Sequence, residues 1–332
     1  MDGPNNGIVL YHYSFSPYAR RVLWYLSLRG IDYAECKQAP VLPRPDLNAL
    51  GINYRRIPVL AVGRDIYCDS RLILRKLEEL FPDGTLGASS GEQKAIERFL
   101  DVWATESGLF ARASQLIPTD MPLLNDPKFT KDREDLTGRS WSKEQIAANR
   151  PEALAYIRNA FKFLETTLLA DGRTWVLKTD KPTLADIEAV WTLDWLNGLK
   201  GALPRELISE KQYPKVFSWI ARFNKALNEA KKQAPKPATL KGGAATQRVL
   251  NASFAEKDLT IDSADPLGLQ HGTEVEVYPT DSGVKHHDKG RLLGLTEDEV
   301  VVSIQPQDKE VRVHYPRTGF RIKAVIGGSS KL

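Results

Sequence analysis

Three short runs carry side chains that could do chemistry. The first is Ser14-Phe15-Ser16-Pro17-Tyr18-Ala19-Arg20-Arg21. Ser16 with Pro17 behind it is a helix start, a hydroxyl at the N-cap and proline at the first helical position. A helix N-terminus carries about half a positive charge, so a hydroxyl held there can donate to an anion beside it. If that anion is a thiolate, the thiol's pKa falls from its ordinary value of about 8.5, and a drop of two units is worth about 2.7 kcal/mol. Ser14 and Tyr11 are rival hydroxyls. The second run is Arg55-Arg56-Ile57-Pro58-Val59-Leu60. A cis bond before Pro58, a device cheap only at proline, turns the Ile57 amide and carbonyl outward, where a bound peptide can pair as an added strand. The third is Cys68-Asp69-Ser70-Arg71. Asp69 and Ser70 cap a helix whose free amides suit a carboxylate, while the Asp69 side chain suits an ammonium group. An α-amino acid head group carries both charges. Each run alone reads equally well as a helix cap or an ordinary strand entry, and only the three in order point to one site.

The elements that must position these runs follow from hydrophobic spacing. Ile8 to Tyr11 reads as a buried strand, and Tyr18, Val22 and Leu26 then repeat at helical spacing until Gly30. A strand around Tyr33 to Cys36, a polar connection, the hairpin Val59–Val62 and Ile66–Cys68 about Gly63-Arg64, and a helix from Ser70 to Pro82 complete a β-α-β, β-β-α order. Past a small-residue linker at 85–91 the period of 3.6 persists to about Ala234. Ala95 to Phe110 reads as one long helix, a second starts at Pro151, a third at Thr183 and a fourth at Pro214. The stretch 118–150 is long for a helix connection and reads as a lid or a surface excursion. After Ala234-Pro235-Lys236-Pro237, a stiff linker, the period changes to 2 and about five short strands follow. The reading is therefore an α+β multidomain chain: a thioredoxin-like α/β domain at 7–84, an all-α helical domain at 91–234, and a small SH3-like β-barrel at 244–325.

Composition excludes several classes. The 332 residues carry 46 basic and 42 acidic side chains without long like-charge runs, which does not suggest nucleic acid. No segment has the roughly 18 apolar residues a membrane span needs, and a cytoplasmic protein is expected. Cys36 and Cys68 belong to no CxxC or Cys/His cluster, so they read as reduced, buried thiols. His286-His287 has no third ligand spaced nearby, and no metal is expected.

Residues 7–82 resemble the N-terminal domain of glutathione transferases. In that family a Ser, Tyr or Cys near the first helix meets the thiol, an x-Pro pair binds the cysteinyl backbone, and an acidic-Ser pair holds the γ-glutamyl end. Ser16, Pro58 and Asp69-Ser70 match that order. Ser-Pro-Tyr-Ala-Arg-Arg is similar to the start of plant-type serine transferases, and to the omega-type start with Ser16 in place of Cys, which disfavours thiol–disulfide chemistry. Lys181-Pro182-Thr183-Leu184-Ala185-Asp186-Ile187 resembles the family's structural capping box, extending the likeness to about residue 230. Two positions depart: the Lys contact to the glycyl carboxylate falls to Arg56 or Arg55, and Asp69 replaces the commoner Glu. The run His314–Phe320 looks similar to one in fungal transferase-like proteins that carry a C-terminal extension.

The resemblance implies glutathione as the cofactor, with Ser16 as the catalytic residue. Ser14, Arg56, Ile57, Pro58, Asp69 and Ser70 would bind glutathione, and Tyr13, Tyr18, Trp103 and Phe110 would line the cleft for a small apolar electrophile. A homodimer is expected by the same analogy. Two alternatives share the fold: a glutathione-dependent cis–trans isomerase, and a non-catalytic binding module.

Overall fold

The computed structural model describes residues 7–325. The N-terminal unit comprises β1 (Ile8–His12), α1 (Pro17–Arg29), β2 (Ala34–Lys37), the short α2 (Pro45–Asn48), β3 (Val59–Val62), β4 (Asp65–Cys68) and α3 (Ser70–Leu80). β1 runs parallel to β2 and antiparallel to β3, and β4 is antiparallel to β3, the expected thioredoxin-like arrangement. These strands read as unbroken apolar runs because both faces are covered. Ile8, Leu10, Leu60 and Tyr67 face α1, α3 and the helical domain. Val9, Tyr11, Val59, Ala61 and Ile66 face the opposite core.

The helical part contains α4 (Gly91–Thr105), α5 (Leu109–Ser114), α6 (Pro127–Thr137), α7 (Lys143–Thr166), α8 (Leu184–Gly198) and α9 (Pro214–Gln233). Two boundaries differ from the sequence reading. The expected long helix breaks at Gly108, whose φ of 82° leaves the helical region and restarts the chain as α5. The helix expected to begin at Pro151 begins eight residues earlier, at Lys143, where the Ser142 hydroxyl accepts from the Gln145 N–H at 3.1 Å. The long connection is an excursion built from a 3₁₀ turn and α6.

The C-terminal part consists of β5 (Ala238–Leu240), α10 (Gly243–Leu250), β6 (Glu274–Pro279), β7 (Asp288–Leu295), β8 (Glu299–Ile304), β9 (Val311–Pro316) and β10 (Phe320–Ala324). β6 to β9 form an antiparallel meander, and β10 returns to pair with β6. The five expected strands are present, but the outer one, β9, lies parallel beside β4, with Ile66 opposite Val313. β5 caps the other edge on β2. The result is one continuous ten-stranded sheet among the described residues, ordered β10-β6-β7-β8-β9-β4-β3-β1-β2-β5. The physical reason is an edge: β4 would otherwise expose unpaired backbone groups, and β9 satisfies them within the same chain. Val275, Val277, Leu292, Val302 and Tyr315 consequently share a core with Val9, Tyr11 and Val59. Gly63, at the β3–β4 turn, allows the close approach, since a Cβ there would sit 2.1 Å from the Ser253 carbonyl oxygen.

A buried polar cluster closes the β4–β9 seam. His314 is fully buried and bonds Asp65 at 3.0 Å through Nε2 and Glu299 at 2.7 Å through Nδ1. Lys76 on α3 reaches Glu256 at 3.0 Å and Glu299 at 2.7 Å. Glu256, Glu299 and His314 could group around a cation, but the Lys76 ammonium already sits against both carboxylates. Burial alone would lower the His314 pKa; the bonds to Asp65 and Glu299 outweigh it and raise the pKa above the usual 6.5. A raised histidine contributes stability that is complete below about pH 6.5 and lost as pH rises through the folded value. We therefore expect the wild-type unfolding free energy to fall on the alkaline side of pH 6.5, and His314→Gln to flatten that slope in denaturant titrations taken from pH 6 to 9. Equal slopes in the two proteins would show the cluster to be pH-insensitive.

Candidate functional site

The sheet register brings the three runs to one end of the molecule. Tyr11 on β1 lies opposite Val59 on β3, and Val59 lies opposite Cys68 on β4, so one row crosses the three strands. Beyond that row β1 runs on into 13–16, β3 is preceded by Ile57-Pro58, and β4 passes into Asp69-Ser70. The spacing of Ser16, Pro58 and Asp69 in sequence thus becomes proximity through strand direction.

Ser16 is buried and is the N-cap of α1, its Oγ accepting from the Ala19 N–H at 3.2 Å. Among the described residues no protein acceptor takes its O–H. Arg20 and Arg21 brace the same helix against α8: Arg20 pairs with Asp194 at 2.8 Å, and the fully buried Arg21 pairs with Glu188 and with Asp101 on α4, the latter at 3.1 Å. The rival hydroxyls are placed elsewhere. Ser14 is exposed and lines a cleft of about 510 Å³ between α1 and α9, with Trp24, Asn224 and Lys231. Tyr11 is enclosed in the core with Val9, and burial pushes its phenol far above the ordinary value.

The Ile57–Pro58 bond is cis. Ladder pairing on β3 begins at Val59, so the Ile57 amide and carbonyl stand outside the sheet. Asp69 caps α3 at a φ of 74°, a conformation aspartate tolerates better than most residues, and accepts from the Arg71 N–H at 3.0 Å. Burial would raise its carboxyl, but the Arg71 guanidinium 3.1 Å away and Arg56 at 3.7 Å hold it at about 2. Ser70 Oγ accepts from Arg21 at 2.8 Å, tying the cap of α3 to α1.

Arg55 and Arg56 are already engaged. Arg55 is buried and pairs with Asp132 at 2.9 Å and with Asp135, both on α6. Arg56 pairs with Asp281 and donates to the Ser282 carbonyl at 2.7 Å and 3.1 Å, both in the β6–β7 loop. Sequence reasoning missed this loop as part of the site, since no local feature of Asp281-Ser282-Gly283 signals it. It also missed Asp288, whose carboxylate accepts from the Asn53 and Tyr54 amides at 2.5 Å and 3.2 Å and from the Tyr315 hydroxyl at 2.7 Å. That aspartate fixes the backbone entering Arg55-Arg56. Burial pushes its carboxyl up to about 6.

Of the four aromatic cleft candidates, Tyr18 and Phe110 meet edge to face at 4.9 Å and pack with Trp191, which Phe110 stacks at 5.2 Å. Trp103 instead meets Phe163 on α7, and Tyr13 meets Phe15 at the entry to α1. The neighbouring histidines, for which no metal is expected, go separate ways: His286 bonds Asp135 at 3.1 Å, and His287 stacks on Tyr278. Cys36 and Cys68 are free and buried, and burial pushes the Cys36 thiol up to about 12.

Residues 10–87 match the glutathione S-transferase N-terminal domain, and residues 112–232 match a domain of unknown function, DUF7962. A probable glutathione S-transferase of Solanum tuberosum is 26% identical over 94 residues, 28% of this chain and 43% of that protein. The matched stretch thus spans less than half the length of that curated relative. Among solved structures, a GST-like protein from Pseudomonas syringae aligns with TM-score 0.69 and 25% identity, over 96% of this chain and 99% of its own. A likeness over 96% of the chain reaches into the C-terminal strands. A rice glutathione S-transferase solved in complex with glutathione aligns with TM-score 0.51 and 17% identity over 71% of this chain and 93% of its own. A glutathione S-transferase of Sinorhizobium meliloti aligns with TM-score 0.51 and 22% identity over 67% and 91%. No helix among the described residues is long and apolar enough to cross a membrane. A thioredoxin-like sheet carrying the matched N-terminal domain, a helical domain packed on α1 and a likeness running nearly the whole length of a GST-like structure make this chain similar in fold to the glutathione transferases, with residues 10–87 matching their N-terminal domain.

Proposed function

We propose that the chain is a glutathione transferase that binds glutathione at the shared end of β1, β3 and β4 and holds its thiolate with Ser16. The observation that carries this reading is the single row Tyr11–Val59–Cys68, which delivers a helix-capping hydroxyl, an unpaired Ile57 backbone and a charged Asp69 cap to one place. Asp69 takes the α-ammonium, the α3 amides take the adjoining carboxylate, and the Ile57 backbone pairs with the cysteinyl residue. That places the sulfur beside Ser16, where the O–H and the α1 terminus favour the thiolate over the thiol. The thiol proton passes to water, and the thiolate sulfur then forms a carbon–sulfur bond to an apolar electrophile whose ring or chain rests near Tyr18 and Phe110, displacing a leaving group that departs with the bonding pair of that carbon. The fold likeness to a transferase solved with glutathione supports the choice of thiol.

Calorimetric titration with glutathione tests the binding half. The full chain is expected to bind in the millimolar range or tighter. Asp69→Asn retains a capping side chain but loses the charge, so glutathione should bind it at least tenfold more weakly; Arg71 and Arg56 lose their anionic partner, so the melting temperature falls too and binding is compared where the variant is still folded. Absence of binding to the wild-type chain would discard the reading. Product analysis tests the chemical half: the sulfur must appear in the product, and a sulfur-free product with glutathione undiminished would identify an isomerase instead.

A further inference from the structure

We infer that Asp281, contributed by the C-terminal strands, sets which form of the thiol peptide the site prefers, by occupying the cation that would otherwise receive its second carboxylate. This rests on the glutathione reading above. The three arginines next to the Ile57-Pro58 and Asp69-Ser70 runs are each paired with carboxylates of the chain: Arg55 with Asp132 and Asp135, Arg71 with Asp69 and Glu106, and Arg56 with Asp281 and, at 3.7 Å, Asp69. A peptide with two carboxylates can place one on the α3 amides; the other needs a guanidinium. Arg56, directly before Ile57-Pro58, is the one adjoining the peptide-pairing backbone. Its acidic partners differ sharply in exposure: the Asp69 side chain is 10% exposed and the Asp281 side chain 67%. Asp281 is therefore the partner that can be changed without disturbing the α3 cap, and while it is present its negative charge opposes a second carboxylate brought to the same guanidinium.

The rest of the loop keeps Arg56 in place whether or not Asp281 holds it. Two donations reach the Ser282 carbonyl, at 2.7 Å and 3.1 Å, and the guanidinium lies 5.9 Å from the centre of the Phe320 ring. The loop itself is tethered: the Gly283 N–H donates to the Leu136 carbonyl at 2.6 Å, and His286 bonds Asp135 at 3.1 Å. Removing the Asp281 charge therefore leaves a positioned guanidinium whose remaining acidic partner is Asp69 at 3.7 Å, open to a second carboxylate. With Asp281 present, the site gains little from the ligand's glycyl carboxylate and accepts peptides in which that group is esterified or amidated.

The test compares glutathione with its glycyl monoethyl ester, each titrated into the full-length wild-type chain and into Asp281→Asn. The wild type should bind the acid and the ester within about threefold of each other. The variant should bind glutathione about tenfold more tightly while its affinity for the ester changes less than threefold. Glutathione binding to both proteins with equal or weaker affinity in the variant would overturn the inference and leave the glutathione reading standing. Failure of both thiols to bind either protein would overturn that reading and the inference with it.

Discussion

Replacing Ser16 by alanine should lower the turnover of glutathione with an electrophilic substrate at least tenfold, and abolish the thiolate absorbance that appears when glutathione binds the wild-type protein. A tenfold loss corresponds to about 1.4 kcal/mol of transition-state stabilisation, the scale expected for one hydrogen bond to a charged sulfur. Ser16 also caps α1 through the Ala19 N–H, so the same substitution costs about 0.5–2 kcal/mol of stability. The two roles separate in Ser16→Asp. Aspartate is a good cap and restores the melting temperature, but it offers no O–H at neutral pH and sets a negative charge against the thiolate, so turnover stays low. If Ser16→Ala retained full turnover and thiolate absorbance, the serine would be a cap only.

Replacing Asp186 by alanine should lower the melting temperature by on the order of 10 °C, without any direct contact to the site. Its fully buried carboxylate is a hub: it accepts from the Thr183 N–H at 2.9 Å, the Thr183 hydroxyl at 3.0 Å, the Val176 N–H at 3.0 Å and the Trp219 indole at 2.9 Å. Removing it orphans several buried donors, each costing about 1–3 kcal/mol, partly offset where water enters. For a domain of this size each kcal/mol moves the midpoint by about 2–4 °C. Because α8 carries Glu188 and Asp194, which brace Arg21 and Arg20 on α1, we also expect glutathione binding to weaken in proportion to the unfolded fraction. Asn at the same position keeps part of the network and should lose about half as much. A thermal scan showing wild-type stability for Asp186→Ala would remove the hub from the account of the helical domain.

What could be read from the residues alone was whatever is encoded within a few positions of itself. Ser16-Pro17 announces a cap and Gly30 an end, because caps and stops are local backbone chemistry. The β3–β4 hairpin is visible in two apolar runs about Gly63, and Thr183 with Asp186 in a four-residue box. Even the convergence of Ser16, Pro58 and Asp69 was accessible, since strand direction in a β-α-β, β-β-α order leaves little choice about which loops meet. Boundaries failed where competing local signals were present: Pro151 looked like a start although Ser142 caps the helix, and nothing at 105–109 outweighed the apolar period except Gly108.

Tertiary structure alone decided the rest. The pairing of β9 with β4 joins residues nearly 250 positions apart, and an edge strand carries no mark of which strand will cover it. The same holds for Asp281 against Arg56, 225 residues away, and for Asp288 beneath the Asn53 and Tyr54 amides. A sequence shows which cations and carboxylates exist. Only the fold decides which of them neutralise one another and which are left to a ligand, because that depends on distance and burial rather than on order along the chain.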